Sequence, residues 1–401
     1  MRVLLTNHFP LEGSGSGIYT QNVARELTKK GHEALVITPA HDEQVDFPFD
    51  VRTILFSPND EVEGNESRLP FNFPCFTTHP LSNTTFGDLS IAQRQAYVDA
   101  FCKATAEAVA EWKPDIIHAQ HLWVTGYAAR ATNLPYVATA HGTDLMGMRK
   151  YEEWRTNAQE GAAHAFAIIA ISKQVAGDTE ALFNTPPERI RLIMNGIDEA
   201  IFRVLSLDRK KVLAGYDITG EFKYVVSFVG KLTEFKGVDV LLDAAAIYER
   251  DLGGVLTLIV GDGELREALE EQVQHLGLKG VYFLGHQSQP DVAKIYNIAD
   301  VSTVPSRVEP FGLVAVEALA CGTPVVATNE GGLPDFIHDG VGVLINIDDP
   351  GGLADAIMRD LRSRAKEKKG PIAAKYALEG FSWSSQVDMM IAVYDEAIRG
   401  G

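Results

Sequence analysis

The chain has 401 residues, too many for one ordinary hydrophobic core, so its length predicts two or three domains. With 46% hydrophobic and 22% charged residues it reads as soluble and globular, and a formal net charge of −18 excludes nucleic acid as a partner, because no basic field exists to release counterions from a phosphate backbone. Any anionic ligand has to be held by a local basic pocket.

Short β-branched runs alternate with longer helical patterns, the signature of parallel sheets with right-handed crossovers. The first run, VLL (3–5), ends its apolar stretch at Leu5, far short of a signal-peptide core, and no later stretch approaches a membrane span in length. Cys75, Cys102 and Cys321 are odd in number and scattered, which supports neither a disulfide framework nor a zinc ribbon; the expected location is cytoplasmic. GSGSG (13–17) follows, with Gly15 and Gly17 before a helix expected to begin near Ile18. Seven residues (6–12) separate it from the strand, whereas a dinucleotide-binding loop turns almost directly off its strand, and the second strand ends in Thr38-Pro39 rather than in an acid for a ribose. The loop reads either as a flexible turn or as backbone that approaches a phosphate or sugar closely. In the helix after it, Val23, Ala24 and Leu27 line one face and Gly31 ends the run.

Strand ALVIT (34–38) precedes a long insert, 59–90, with PFNFPCFTTHP at its centre; its aromatics suggest a packed lid or a partner surface. Strands DIIHA (115–119), YVATA (136–140), AIIAIS (167–172) and RLIMNG (191–196) complete the first half. His118, His121 and His141 lie near the ends of these strands. A strand exit does not bring His118 and His121 together as metal ligands, and no acidic fourth ligand is evident, so no metal is assigned. His141, followed by Gly142, suits a polar ligand, while His118 reads as a satisfied core residue.

After Asp198 a polar stretch interrupts the pattern, which restarts at YVVSFVG (224–230). The predicted domains are 1–203, 204–380 and a terminal helical segment, 381–401. VGKLTEFKG (229–237) sets Lys231 and Lys236 around a strand exit, either as solvated surface lysines or as the positive charge for a diphosphate. LTLIVG (256–261), VYFLG (281–285), VSTVP (301–305), PVVAT (324–328) and VGVLI (341–345) are the remaining strands. Two open α/β domains of similar size would bind ligand in the crevice outside the carboxyl ends of their strands.

The most specific stretch is SRVEPFGLVAVEALACGTPVV (306–326), with seven residues between Glu309 and Glu317. Pro310 suits the first helical position, which would place Glu309 at the N-cap and Glu317 about two turns into the helix, with Gly322 ending it. Glu317 sits in LVAVEALA, apolar on every side, so it needs a polar partner. The basic cluster RSRAKEKKG (362–370) reads as a solvated helix end, with weak peripheral membrane contact as the alternative.

Taken together, GSGSGIYTQNVARELTKKGHE, HAQHLW, TAHGTD, MNGID, VGKLTEFKGVDVLLDA and PSRVEPFGLVAVEALACGTPVVATNEGGLPDFI resemble the retaining glycosyltransferases of family 4. The resemblance implies the GT-B fold: two Rossmann-like α/β/α domains facing across a cleft, with a C-terminal helix crossing back to the first. It implies a hexose moved from a nucleotide sugar, bound mainly by the second domain, to an acceptor bound mainly by the first; UDP-sugar is the first choice of donor and GDP-mannose the second. Glu309 would bond donor-sugar hydroxyls, the amides of Phe311, Gly312, Leu313 and Val314 would contact sugar and phosphate, and Glu317 would hold the ribose. Lys231 and Lys236 would take the diphosphate in place of a metal, with no cofactor needed. His141 would sit by the reactive carbon, and Gly17 would close over the phosphate. Lys231 departs from the arginine common in the family, exchanging a forked grip for a point charge. A front-face mechanism, in which the leaving phosphate helps deprotonate the acceptor, is implied. A nucleotide-sugar epimerase of the same fold and a non-catalytic nucleotide-sugar-binding protein are the competing readings.

Overall fold

The computed structural model describes residues 1–44, 46–58, 68–76 and 79–400. They form two compact units: Met1–Met194 together with the chain from Gln386 onward, and Asn195–Ser385. Residues 195–203, assigned to the first domain in the sequence reading, are built into the second unit. Ile197 N–H donates to Phe381 O at 2.8 Å, Trp383 N–H donates to Ile197 O at 3.3 Å, and Leu205 N–H reaches Asn297 Oδ1 at 2.7 Å.

The first unit holds β1 (Arg2–Thr6), β2 (Glu33–Ala40), β3 (Asp50–Leu55), β4 (Ile116–Gln120), β5 (Tyr136–Ala140), β6 (Ala167–Ala170) and β7 (Ile190–Leu192), all parallel in the order β3-β2-β1-β4-β5-β6-β7. The central strands β4, β5 and β6 are buried throughout, as expected where helices cover both faces. β3 was not expected: DVRTIL is a half-exposed edge strand whose Asp, Arg and Thr dilute the apolar signal.

The helix Gly15–Lys29 starts earlier than the sequence reading placed it, so Gly15 and Gly17 lie in its first turn rather than in a free loop. Ser14 caps it by accepting the Gly17 N–H at 2.9 Å. Gly17 has to be glycine for space: a Cβ there would lie 2.2 Å from the Pro10 carbonyl oxygen. The insert 59–90 lies partly outside the described residues, at 59–67 and 77–78. In its described part Phe71, Phe73, Phe76 and Phe86 are buried with Phe9, Phe56, Tyr97, Phe101, Trp123 and Trp154, so these aromatics are packed into a core and do not form a partner surface.

His118 is a satisfied core residue. Its Nδ1 lies 2.6 Å from the Tyr394 hydroxyl on the last helix, Trp383–Gly400, and its Nε2 lies 2.6 Å from Thr139 Oγ1. Burial pushes its pKa down to about 3, so the ring is neutral, with one donor and one acceptor nitrogen for the two hydroxyls. Tyr394→Phe strands one of those nitrogens and is expected to cost about 1–3 kcal/mol, read as a lower urea midpoint. An unchanged midpoint would show that this bond does not anchor the helix.

The second unit holds β8 (Tyr224–Val229), β9 (Val255–Val260), β10 (Val281–Gly285), β11 (Val301–Val304), β12 (Val325–Thr328) and β13 (Gly342–Ile345), parallel in the order β10-β9-β8-β11-β12-β13. The order reverses between β8 and β11, the switch point at which open parallel sheets bind ligands. Loop 230–237 leaves β8 there and loop 305–312 leaves β11. The basic cluster 362–370 is not wholly a solvated helix end. Lys366 is largely desolvated, which lowers its pKa to about 8, and its ammonium donates to the carbonyls of Tyr296 (3.3 Å), Asn297 (2.6 Å) and Ala299, closing the helix Gln289–Ile298. Among the described residues no helix is long and apolar enough to cross a membrane.

Candidate functional site

In the second unit the helix expected from Pro310 begins later, as Leu313–Ala320 with Gly312 at the N-cap. Gly312 has φ +99, and a Cβ on it would lie 2.5 Å from Leu333 Cδ2, so the left-handed turn at glycine overrides the helical bias of proline. Glu309 is therefore in the turn before the helix, and Glu317 is the fifth helical residue, just over one turn in. Phe311 is buried against Phe336, with ring centroids 5.2 Å apart, so only its backbone remains for a ligand. The first helical turn, including Leu313 and Val314, carries no acidic side chain, which leaves its positive end uncompensated by the helix itself.

The turn is sewn to its surroundings. Thr328 Oγ1 donates to Ser306 O at 2.6 Å, and Gly332 N–H donates to Glu309 O at 3.0 Å. Glu309, only 7% exposed, accepts from Lys236 Nζ at 2.7 Å and from Ser306 Oγ at 3.2 Å, both on Oε2. Lys236 reaches it because the next residue, Gly237 with φ +62, passes so close to the other loop that a Cβ would lie 2.1 Å from Pro305 O. The structure thus brings Lys236 and Glu309 together from loops 73 residues apart. Lys231 lies exposed where β8 ends.

Glu317 is buried beside Tyr296 and Cys321, and desolvation raises its pKa from 4.5 to about 8. Between those two values the folded state holds a proton that the unfolded state has released, so this group's contribution to stability falls as pH rises from about 4.5 through about 8. Glu317→Gln removes that dependence. The ligand-free variant is expected to melt on the order of 10 °C above the parent at pH 8.5, with the gap closing toward pH 4.5. A gap independent of pH would show that Glu317 is not protonated in the fold.

The first unit has its own cluster at the reversal of its strand order, between β1 and β4. His8 follows β1, His121 follows β4 in a left-handed conformation (φ 71), and His141 follows β5. Their rings form a row, with centroids 4.7 Å apart between His8 and His121 and 4.6 Å between His121 and His141. Desolvation lowers all three, His121 and His141 to about 3, so the row is neutral. Asp144, fully buried, ties the turns together: Oδ1 accepts the His141 N–H at 3.1 Å and Oδ2 the Leu122 N–H at 3.3 Å. Nε2 of His141 lies 2.9 Å from Gln120 Oε1, and Tyr19 packs edge-on to its ring at 4.9 Å. His118, turned to Tyr394 and Thr139, does not join His121.

His8, Gln120, Asp144, Ser306 and Thr328 are polar residues of these clusters that sequence reasoning did not single out. Asp144 and Ser306 lay inside the quoted TAHGTD and PSRVEPFG segments, and their spacing from His141 and Glu309 was the available signal.

Residues 13–201 match the model of Glycosyltransferase Family 4, and residues 218–376 match that of Glycosyl transferases group 1. D-inositol 3-phosphate glycosyltransferase 1 from Catenulispora acidiphila is 33% identical over 310 residues, covering 72% of this chain and 73% of its own. The D-inositol 3-phosphate glycosyltransferase of Salinispora arenicola is 32% identical and covers 96% of this chain and 88% of its own. Among solved structures, sucrose-phosphate synthase from Thermosynechococcus elongatus superposes over the whole of both chains with a TM-score of 0.76 at 23% identity. Anabaena HepE in complex with UDP and glucose superposes with a TM-score of 0.74 at 22% identity, over 98% of this chain and 99% of its own. These two likenesses fix the fold as GT-B, and the sequence matches fix the family: the chain belongs to glycosyltransferase family 4, a retaining family, and is a glycosyltransferase that uses a nucleotide-sugar donor.

Proposed function

We propose that the chain transfers a hexose from a UDP-sugar, with GDP-mannose as the second choice of donor, to a phosphorylated polyol. The observation that carries the donor half is the Lys236–Glu309 pair at the β8/β11 switch point, 2.7 Å apart beside a helix N-terminus. A carboxylate that can accept from sugar hydroxyls stands next to an ammonium that can hold phosphate. UDP is supported by the HepE complex, and the acceptor class by the inositol-phosphate enzymes among the relatives.

In this reading Lys231, Lys236 and the amides of Gly312, Leu313 and Val314 stabilise charge as it develops on the departing diphosphate, with no metal taking part. Catalysis is then electrostatic rather than nucleophilic. Glu309 orients the sugar, Glu317 accepts from the ribose diol, His141, held by Gln120 and Asp144, serves the sugar's reactive carbon, and the backbone at Gly15 and Gly17 serves the phosphate. The leaving phosphate takes the acceptor's proton on the same face, which retains the anomeric configuration without a second carboxylate for double displacement.

The test is nucleotide release from UDP-hexoses and GDP-mannose, with and without inositol phosphates and with and without EDTA, followed by NMR of the product's anomeric centre. Release from a UDP-hexose that depends on an inositol phosphate and survives EDTA is the expected result. Turnover of GDP-mannose alone would move the donor assignment, and interconversion of sugars without acceptor would favour the epimerase.

A further inference from the structure

The turn Glu234–Lys236 that presents Lys236 has no core anchor: none of its three residues is buried, and Phe235 at its tip is 50% exposed. Its position is nevertheless closely specified, because Lys236 meets one oxygen of Glu309. The grip comes from Arg307. Its guanidinium forms two parallel bonds with Asp239, at 2.9 Å to Oδ1 and 2.6 Å to Oδ2. It also donates to Glu234 O at 2.8 Å and to Asp348 Oδ1 at 2.6 Å. The backbone adds Arg307 N–H and Val308 N–H to Phe235 O, at 2.7 and 3.3 Å. Residues after β8, β11 and β13 are thereby tied through one side chain.

We infer that Arg307 is a positioning residue for the transfer reaction, a clamp that holds the Lys236 turn against the Glu309 turn. This rests on the proposed diphosphate role of Lys236. Two carboxylates and a carbonyl occupy the guanidinium and more than offset its charge, so Arg307 does not itself take phosphate; it acts through the backbone of residues 234–236. The planar fork matters, since a lysine ammonium cannot make two parallel bonds to Asp239 while also reaching Glu234 and Asp348. The Arg307 side chain is itself only 23% exposed and is held by several bonds at once, so its geometry is fixed more firmly than that of a single surface ion pair, although Asp348 is exposed.

The experiment uses the whole chain in parent, Arg307→Lys, Lys236→Ala and doubly substituted forms, with hydrogen exchange of the ligand-free proteins and titration with UDP and GDP. In Arg307→Lys the amides of residues 234–238 are expected to exchange about tenfold or more faster while the β8 and β11 amides keep their protection, which a general loss of stability would not produce. The better-bound nucleotide is expected to weaken about tenfold, and the double variant to bind no more than about threefold worse than Lys236→Ala alone. Unchanged exchange at 234–238 overturns the clamp. Faster exchange with fully additive losses of affinity overturns its link to Lys236. If the parent binds neither UDP nor GDP, the donor reading fails, and the exchange result still decides whether Arg307 clamps the turn.

Discussion

Lys236→Ala is expected to lower turnover about 10²–10³-fold, the range for losing one preorganised group that stabilises developing charge. The structural case is that the chain carries a net charge of −18, so attraction for a diphosphate must be local, and the Lys236 ammonium is fixed in place at the switch point by Glu309. Its side chain is 27% exposed, enough for a ligand to reach and too little for it to wander among solvated conformers. The measurement is the single-turnover rate on a UDP-hexose, alongside thermal melting to confirm that the variant is folded. Removing Lys236 leaves the Glu309 carboxylate with Ser306 Oγ at 3.2 Å, so some loss of stability accompanies the loss of rate. Lys236→Arg, which keeps the charge, should recover part of the rate; near-normal turnover of the alanine variant would remove the diphosphate role.

The six strands of the second sheet were legible because they are short β-branched runs separated by helical patterns, a spacing that suits a parallel sheet. The same rule failed at β3, where an edge strand mixes Asp, Arg and Thr with its apolar residues. Local signals also misled at Pro310. Its suitability for a first helical position is intrinsic, but the turn at Gly312 is left-handed, and Leu333, which the sequence separates from it by twenty residues, leaves no room there for a side chain. Charged residues were hardest to read. Lys366 and Arg307 look like solvated surface groups in the sequence, and their partners are 67 to 70 and 41 to 73 residues away. The aromatics of the insert read as a surface because nothing near them in sequence shows Trp123 and Trp154 waiting to pack on them. The E-x7-E element marks the turn that carries Glu309, whereas the contact that brings Lys236 to it is tertiary.

Glu309→Ala is expected to separate nucleotide binding from transfer: UDP affinity should stay within about threefold of the parent while turnover falls by about 10² or more, because only interactions gained at the transition state accelerate the chemical step. The Lys236–Glu309 contact gives this a particular sign. In the free protein the Lys236 ammonium is shared with Glu309 Oε2, and a bound diphosphate competes with that carboxylate for it. Deleting the carboxylate frees the ammonium, which offsets any packing lost around the nucleotide and favours UDP binding. The sugar, by contrast, loses the acceptor that orients it toward its partner. Glu309→Gln refines the result, since the amide keeps an oxygen for Ser306 and for sugar hydroxyls but releases the ion pair; its turnover should lie between the two. Calorimetric titration with UDP and single-turnover rates on the same preparations decide the matter, and an equal loss of both in Glu309→Ala would place this carboxylate on the nucleotide instead of the sugar.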